Sequence, residues 1–157
     1  MNATDILKYG NRTFQASLNN VPPNEWETSG VCGYWSVKNI VAHLASHECV
    51  LVEVLTSFLG GGPTPYLNEF TAGAQFNDNQ VDQRQGLTPE QTLAEYNDTH
   101  AKVMSLITQV PIPTLQMVGT LPWYGPEYAL DDFIVYGFYG HKREHSAQIN
   151  VFTDRFK

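Results

Sequence analysis

Between Ile6 and Leu18 the apolar positions Ile6, Leu7, Tyr9, Phe14 and Leu18 follow helical rather than alternating spacing, and the pattern stops before Asn19-Asn20-Val21-Pro22-Pro23. This predicts a first helix over Ile6 to Leu18. A second helix is predicted over Val37 to Leu59, with an apolar face of Ile40, Val41, Leu44, Leu51, Leu55 and Phe58. Ser36 is placed to cap its first turn, and Trp35 to pack on Ile40 as a hydrophobic staple. Gly60-Gly61-Gly62-Pro63 ends it with a C-cap and a residue that cannot continue a helix. The third helix opens at Thr88-Pro89-Glu90-Gln91, a capping-box spacing with proline at the first helical position, and continues through Leu93, Tyr96, His100, Val103, Met104 and Ile107. Val110-Pro111-Ile112-Pro113 closes it. The final helix is expected from about Leu130, where Asp131 and Asp132 suit the positive end of the dipole, to about Thr153.

The connections Gly60 to Leu87 and Thr114 to Ala129 are long for helical links, and such lengths usually hold a short helix, a pocket wall or a crossover. Ala74 to Gln85 reads as a short helix, and Leu115 to Val118 as a short extended piece. No convincing strand and no internal repeat is visible. The fold class read from this pattern is all-α: four helices of roughly 16–23 residues, each about 25–35 Å long, suit a four-helix bundle.

With 157 residues, a single domain spanning 1–157 is expected. Nine Lys and Arg against 16 Asp and Glu give a net charge of −7, which works against non-specific association with nucleic acid or anionic membranes. No uninterrupted apolar stretch approaches the roughly 18–20 residues of a membrane span, and Met1-Asn2-Ala3-Thr4-Asp5 lacks the basic and apolar regions of a signal peptide. The expectation is a cytoplasmic protein with no nucleic-acid and no membrane partner. Cys32 and Cys49 form neither a CxxC nor a zinc-ribbon pattern and read as reduced thiols. The Gly60-Gly61-Gly62 run is followed by Pro63-Thr64-Pro65 rather than by a helix N-terminus, so it reads as a hinge and not a phosphate loop.

Chemistry enters with the histidines. His43 and His47 stand four apart on the second helix, and His141 and His145 four apart on the fourth; His100 is separate. Four residues turn a helix through about 400°, so each pair projects on nearly one face with about 6 Å between the rings along the axis. On the fourth helix that face also carries Ile134, Phe138, Ile149 and Phe152, which predicts that His141 and His145 point inward. Two buried imidazoles side by side cannot both protonate readily, and a shared metal removes the conflict. Glu48 and Glu144 flank the pairs as candidates to orient an imidazole or act as general base, or else as members of a solvated helix face. Gly137 and Gly140 suggest close backbone approach in the last helix. The string Pro122-Trp123-Tyr124-Gly125-Pro126-Glu127-Tyr128 either walls an apolar substrate pocket, through Trp123 or Tyr124, or closes the core over the bundle end.

Two segments resemble the DinB superfamily, the DinB/YfiT-like proteins: Trp35-Ser36-Val37-Lys38-Asn39-Ile40-Val41-Ala42-His43-Leu44 entering the second helix, and Gly140-His141-Lys142-Arg143-Glu144-His145-Ser146-Ala147-Gln148-Ile149 in the fourth. The resemblance implies an up-down-down-up four-helix bundle with a long crossover after helix two, often a homodimer, binding a divalent metal through three His. Carried over, the ligands fall on His43, His141 and His145. His47, often aromatic at this position in the family, becomes a pocket or supporting residue. The functions implied are a metal-dependent hydrolase or a low-molecular-weight-thiol transferase acting on a small-molecule substrate, with the thiol as cosubstrate. The other reading is a non-catalytic metal- or small-molecule-binding bundle, such as a sequestering resistance protein. Neutral imidazoles accept zinc or nickel first, and manganese or iron as well.

Overall fold

Asn2 starts the first helix by accepting the Asp5 amide on its side-chain oxygen at 2.9 Å. In the computed structural model, which describes residues 2–157, the chain divides into two units: residues up to Asn20 together with Ile107–Lys157, and Val21–Leu106. No strand occurs among the described residues, only the isolated bridges Cys32 with Trp35 and Val118 with Ala129. The all-α class expected from the hydrophobic pattern is therefore observed.

In the first unit, α1 (Ala3–Leu18) packs along α8 (His141–Thr153), and it also touches α7 (Leu130–Val135) and the segment that joins α7 to α8. Leu7, Phe14, Ile134, Phe138, Ile149 and Phe152 fill the space between them. Asp132 fixes the start of α7 by accepting the Ala129 amide at 2.7 Å. The last helix is not continuous, contrary to the expectation of one helix over Leu130 to Thr153. Tyr136–Gly140 forms a π-helical turn in which the His141 amide donates to the Tyr136 carbonyl, five residues back. Such a turn holds one residue more than a regular α-turn, and Phe133 and Phe138 meet ring to ring at 5.5 Å across an i, i+5 spacing that a regular helix would not bring together. Gly137 and Gly140, expected to permit close approach, would each accept a Cβ in ordinary contact, at 3.8 and 3.7 Å from its nearest neighbour. The close approach lies on α1 instead, at Gly10. The second link of this unit is a short helix, α6 (Ile112–Gln116), so Leu115 and Gln116 are helical and only Met117 and Val118 are extended.

In the second unit, Ser36 and Asn39 form a reciprocal capping box that starts α2 (Val37–Ser57). The Gly60 to Pro63 stop works as expected, with Gly60 and Gly61 at φ of 112° and 81° and the Gly61 amide donating to the Thr56 carbonyl. By length and composition alone α2 would suffice to cross a membrane, yet 67% of that window is buried inside the protein, as in a core helix. The long link after α2 holds two helices, α3 (Pro65–Ala72) and α4 (Phe76–Gln83), both packed on α2. The predicted Ala74 to Gln85 helix corresponds to α4, whereas α3 is not predicted by the apolar spacing. Its first turn is held by Glu53 of α2, whose two carboxylate oxygens accept the Tyr66 and Leu67 amides at 3.1 and 2.7 Å. Buried Arg84 forks onto Glu95 of α5 (Pro89–Ile107) at 2.6 and 3.1 Å and also donates to Gln80, tying the end of α4 to α5. Thr88 and Gln91 cap α5 reciprocally at 2.9 and 3.1 Å, as their spacing predicts.

Candidate metal centre

On α2 the capping box sets the helix start so that His43 is buried and His47, one turn later, is half-buried. Their rings meet edge to face with centroids 4.5 Å apart, and the Trp35 ring lies 4.9 Å from His43. Phe70 of α3 and Phe76 of α4 stand edge-on to His47 at 5.6 and 5.7 Å. The Nε2 of His47 is 3.1 Å from the Asn77 side-chain oxygen. His47 is thus a walled residue.

On α8 the second pair is closer still. The centroids of His141 and His145 are 4.7 Å apart, and their Nε2 atoms approach to 3.0 Å. The Nδ1 of His145 lies 2.8 Å from Gln148 Oε1, an acceptor, so Nδ1 carries the hydrogen and the lone pair is on Nε2. That lone pair points at the Nε2 of His141. Two imidazole nitrogens each about 2.0–2.1 Å from one ion, at angles between octahedral and tetrahedral, stand about 2.8–3.4 Å apart. The spacing of this pair suits a shared metal, and Gln148 supplies the hydrogen-bond acceptor that commonly orients a ligating imidazole. Burial pushes the pKa of His145 below its ordinary value, with the Gln148 hydrogen bond and the Glu144 charge acting in the opposite direction. The ring is therefore predisposed to the neutral form that ligation requires.

The remaining candidates lie in distinct settings. Glu48 is fully buried, and its Oε2 is 3.3 Å from His100 Nδ1 on α5, so it does not belong to a solvated helix face. His100 in turn stacks on the buried Tyr96 ring, whose hydroxyl is pushed well above the usual range by burial and then by the Glu48 charge. Glu144 is exposed on α8, next to His145. Trp123 and Tyr124 stack on each other and both meet Phe133 edge-on at 5.1 and 5.2 Å, while Tyr124 also stacks on Tyr128. Trp123 is exposed and Tyr124 half-buried, so the two rings cover Phe133 of α7 from the surface. Cys49 is half-buried, and burial followed by the Glu95 charge raises its thiol pKa, which leaves it a poor nucleophile.

Four residues of these settings were not singled out by sequence: Phe70, Phe76, Asn77 and Gln148. Gln148 was accessible, because an amide three residues after a histidine shares its helix face. The other three lie on α3 and α4, whose placement against α2 depends on Glu53 and Arg84.

No curated protein and no solved structure matches the chain. The sequence profile of the DinB superfamily matches residues 7–149, a span that begins in α1, ends in α8 and contains both histidine pairs. On that match the chain belongs to the DinB superfamily.

Proposed function

We propose that the protein is a divalent-metal-dependent enzyme, a hydrolase or low-molecular-weight-thiol transferase, whose metal is held by the two histidine pairs. His43, His47 and His141 are three imidazoles compatible with a metal ion, and His145 approaches His141 on α8 at ligand spacing. This extends the expected set of His43, His141 and His145 by His47. The observation that carries the reading is the 3.0 Å approach of two Nε2 atoms on α8, one of them with its lone pair set by Gln148.

Bound there, a divalent ion supplies the Lewis acidity that makes water or a thiol a nucleophile near neutral pH. Gln148 keeps the His145 ring in its ligating tautomer. Burial favours the neutral form of that ring. In this reading Glu144, exposed on α8 next to His145 in sequence, passes a proton to solvent, while Glu48 is engaged with His100. Zinc and nickel suit an all-imidazole site best, with manganese and iron also accepted.

A second reading rests on the count of imidazoles. Four of them can complete a tetrahedral sphere, and a closed sphere favours a sequestering protein over a catalyst. Metal analysis of tag-free protein, followed by assays of the loaded protein against esters, amides, and electrophiles with cellular thiols, separates the two. Metal binding with turnover supports the enzyme; stoichiometric binding without turnover supports sequestration; absence of binding overturns both. The same reading puts the enzyme in the cytoplasm as a homodimer, and a solution mass of 17.6 kDa by light scattering at micromolar concentration would refute the dimer.

A further inference from the structure

We infer that Asn77 is a positioning residue that makes Nδ1, not Nε2, the metal-ligating nitrogen of His47. The inference rests on the metal reading above and assigns the role of one nitrogen within it.

The Asn77 oxygen lies 3.1 Å from His47 Nε2. A carbonyl oxygen only accepts, so this contact is attractive only when Nε2 carries the hydrogen. The other tautomer would set the Nε2 lone pair against the oxygen. With the hydrogen on Nε2 the lone pair is on Nδ1, since a neutral imidazole has one of each. Phe70 and Phe76 stand edge-on to the ring at 5.6 and 5.7 Å and to each other at 5.4 Å, so the ring is walled on two sides against flipping.

The helices that carry these three residues are firmly placed. Glu53 caps α3, Gln80 of α4 donates to Glu69 of α3 at 2.8 Å, and Arg84 locks the end of α4 onto α5. Asn77 therefore meets His47 from a fixed direction. The arrangement is the mirror of that on α8, where Gln148 takes the hydrogen on Nδ1 of His145 and leaves Nε2 for the metal. Two amide side chains thus set opposite nitrogens on two histidines, each within its own unit.

The test uses the full chain and zinc. In the metal-free protein, nitrogen-15 spectra of the imidazoles should show His47 protonated at Nε2 in the wild type and in Asn77→Asp, whose carboxylate is also an acceptor. In Asn77→Leu the two tautomers should mix. Zinc should shift the His47 Nδ1 resonance. Removing a group that orients a ligand usually costs about 10–100-fold in affinity, so the zinc Kd should rise by about tenfold or more in Asn77→Leu and stay near wild type in Asn77→Asp. Protonation of His47 at Nδ1, a zinc shift at Nε2, or an unchanged Kd in Asn77→Leu would overturn the role of Asn77 while the metal reading stands. Failure of the wild type to bind zinc would overturn the metal reading, and this inference with it.

Discussion

A Cβ placed on Gly10 would lie 2.6 Å from the Phe138 carbonyl oxygen and 3.3 Å from Tyr139 Cα, so α1 meets the backbone of the π-turn where only a hydrogen fits. The neighbour is main chain, not a side chain that can swing away. Gly10→Ala must move α1 or the π-turn, and overpacking of this kind costs about 1–3 kcal/mol. The urea midpoint should fall accordingly. Gly137→Ala is the contrasting variant: its Cβ would meet only Phe133 Cε1 at 3.8 Å, and alanine is the better helix former by about 1 kcal/mol, so stability should hold or rise. Equal losses in the two variants would contradict the structure at this point.

Replacing His141 or His145 by Ala should lower metal stoichiometry below that of the wild type. It should also abolish the rise in melting temperature that added metal produces, because ligand binding to the native state stabilises it. Metal analysis and thermal unfolding with and without zinc read both effects. Unchanged content in the two variants would remove α8 from the site.

The depressed pKa of His145 carries a sign that can be measured without metal. Its unfolded value is close to the ordinary 6.5 and its folded value is lower, so the unfolded chain takes up the proton first on acidification. The stability that the neutral, buried ring contributes is complete above pH 6.5 and is lost as pH falls through the folded value. His145→Asn, which does not titrate, should flatten stability in that window. Metal affinity should decline over the same range, since protons compete for the ligand nitrogens.

Glu48 provides a test of a different kind, because its full burial against His100 makes it a packing element as well as a hydrogen-bond partner. Glu48→Gln keeps the shape and one acceptor, and should cost about 1–3 kcal/mol, the usual penalty for a damaged buried hydrogen bond. Glu144→Gln, at an exposed position, should leave stability within about 0.5 kcal/mol. Chemical denaturation of the two variants separates these expectations.

The helix boundaries that could be read from sequence are those set by neighbours along the chain. Ser36, Thr88 with Gln91, and Gly60 to Pro63 act on residues three to five positions away, and their signals were sufficient. What escaped the pattern is governed by partners far apart in sequence. Residues Pro65–Ala72 are helical with a cap supplied by Glu53, and His100 finds Glu48 across 52 residues. The two histidine pairs were legible because a spacing of four is a property of the helix itself. The walls around His47 were not, since Phe70, Phe76 and Asn77 reach it only through the docking of α3 and α4.

The wide turn at Tyr136–Gly140 also bears on how this chain lines up with its relatives. A π-turn absorbs one added residue within a helix while the flanking segments keep their faces, which is why Phe133 and Phe138 meet although they are five apart. Counted in helical positions, α7 and α8 are one residue closer than the sequence numbering says. A superfamily member with an unbroken last helix should be one residue shorter between its counterparts of Phe133 and His141. Against such a member, an alignment gap placed inside Tyr136–Gly140 would bring both histidines into step, whereas an ungapped comparison anchored on α7 would set them one position out of register.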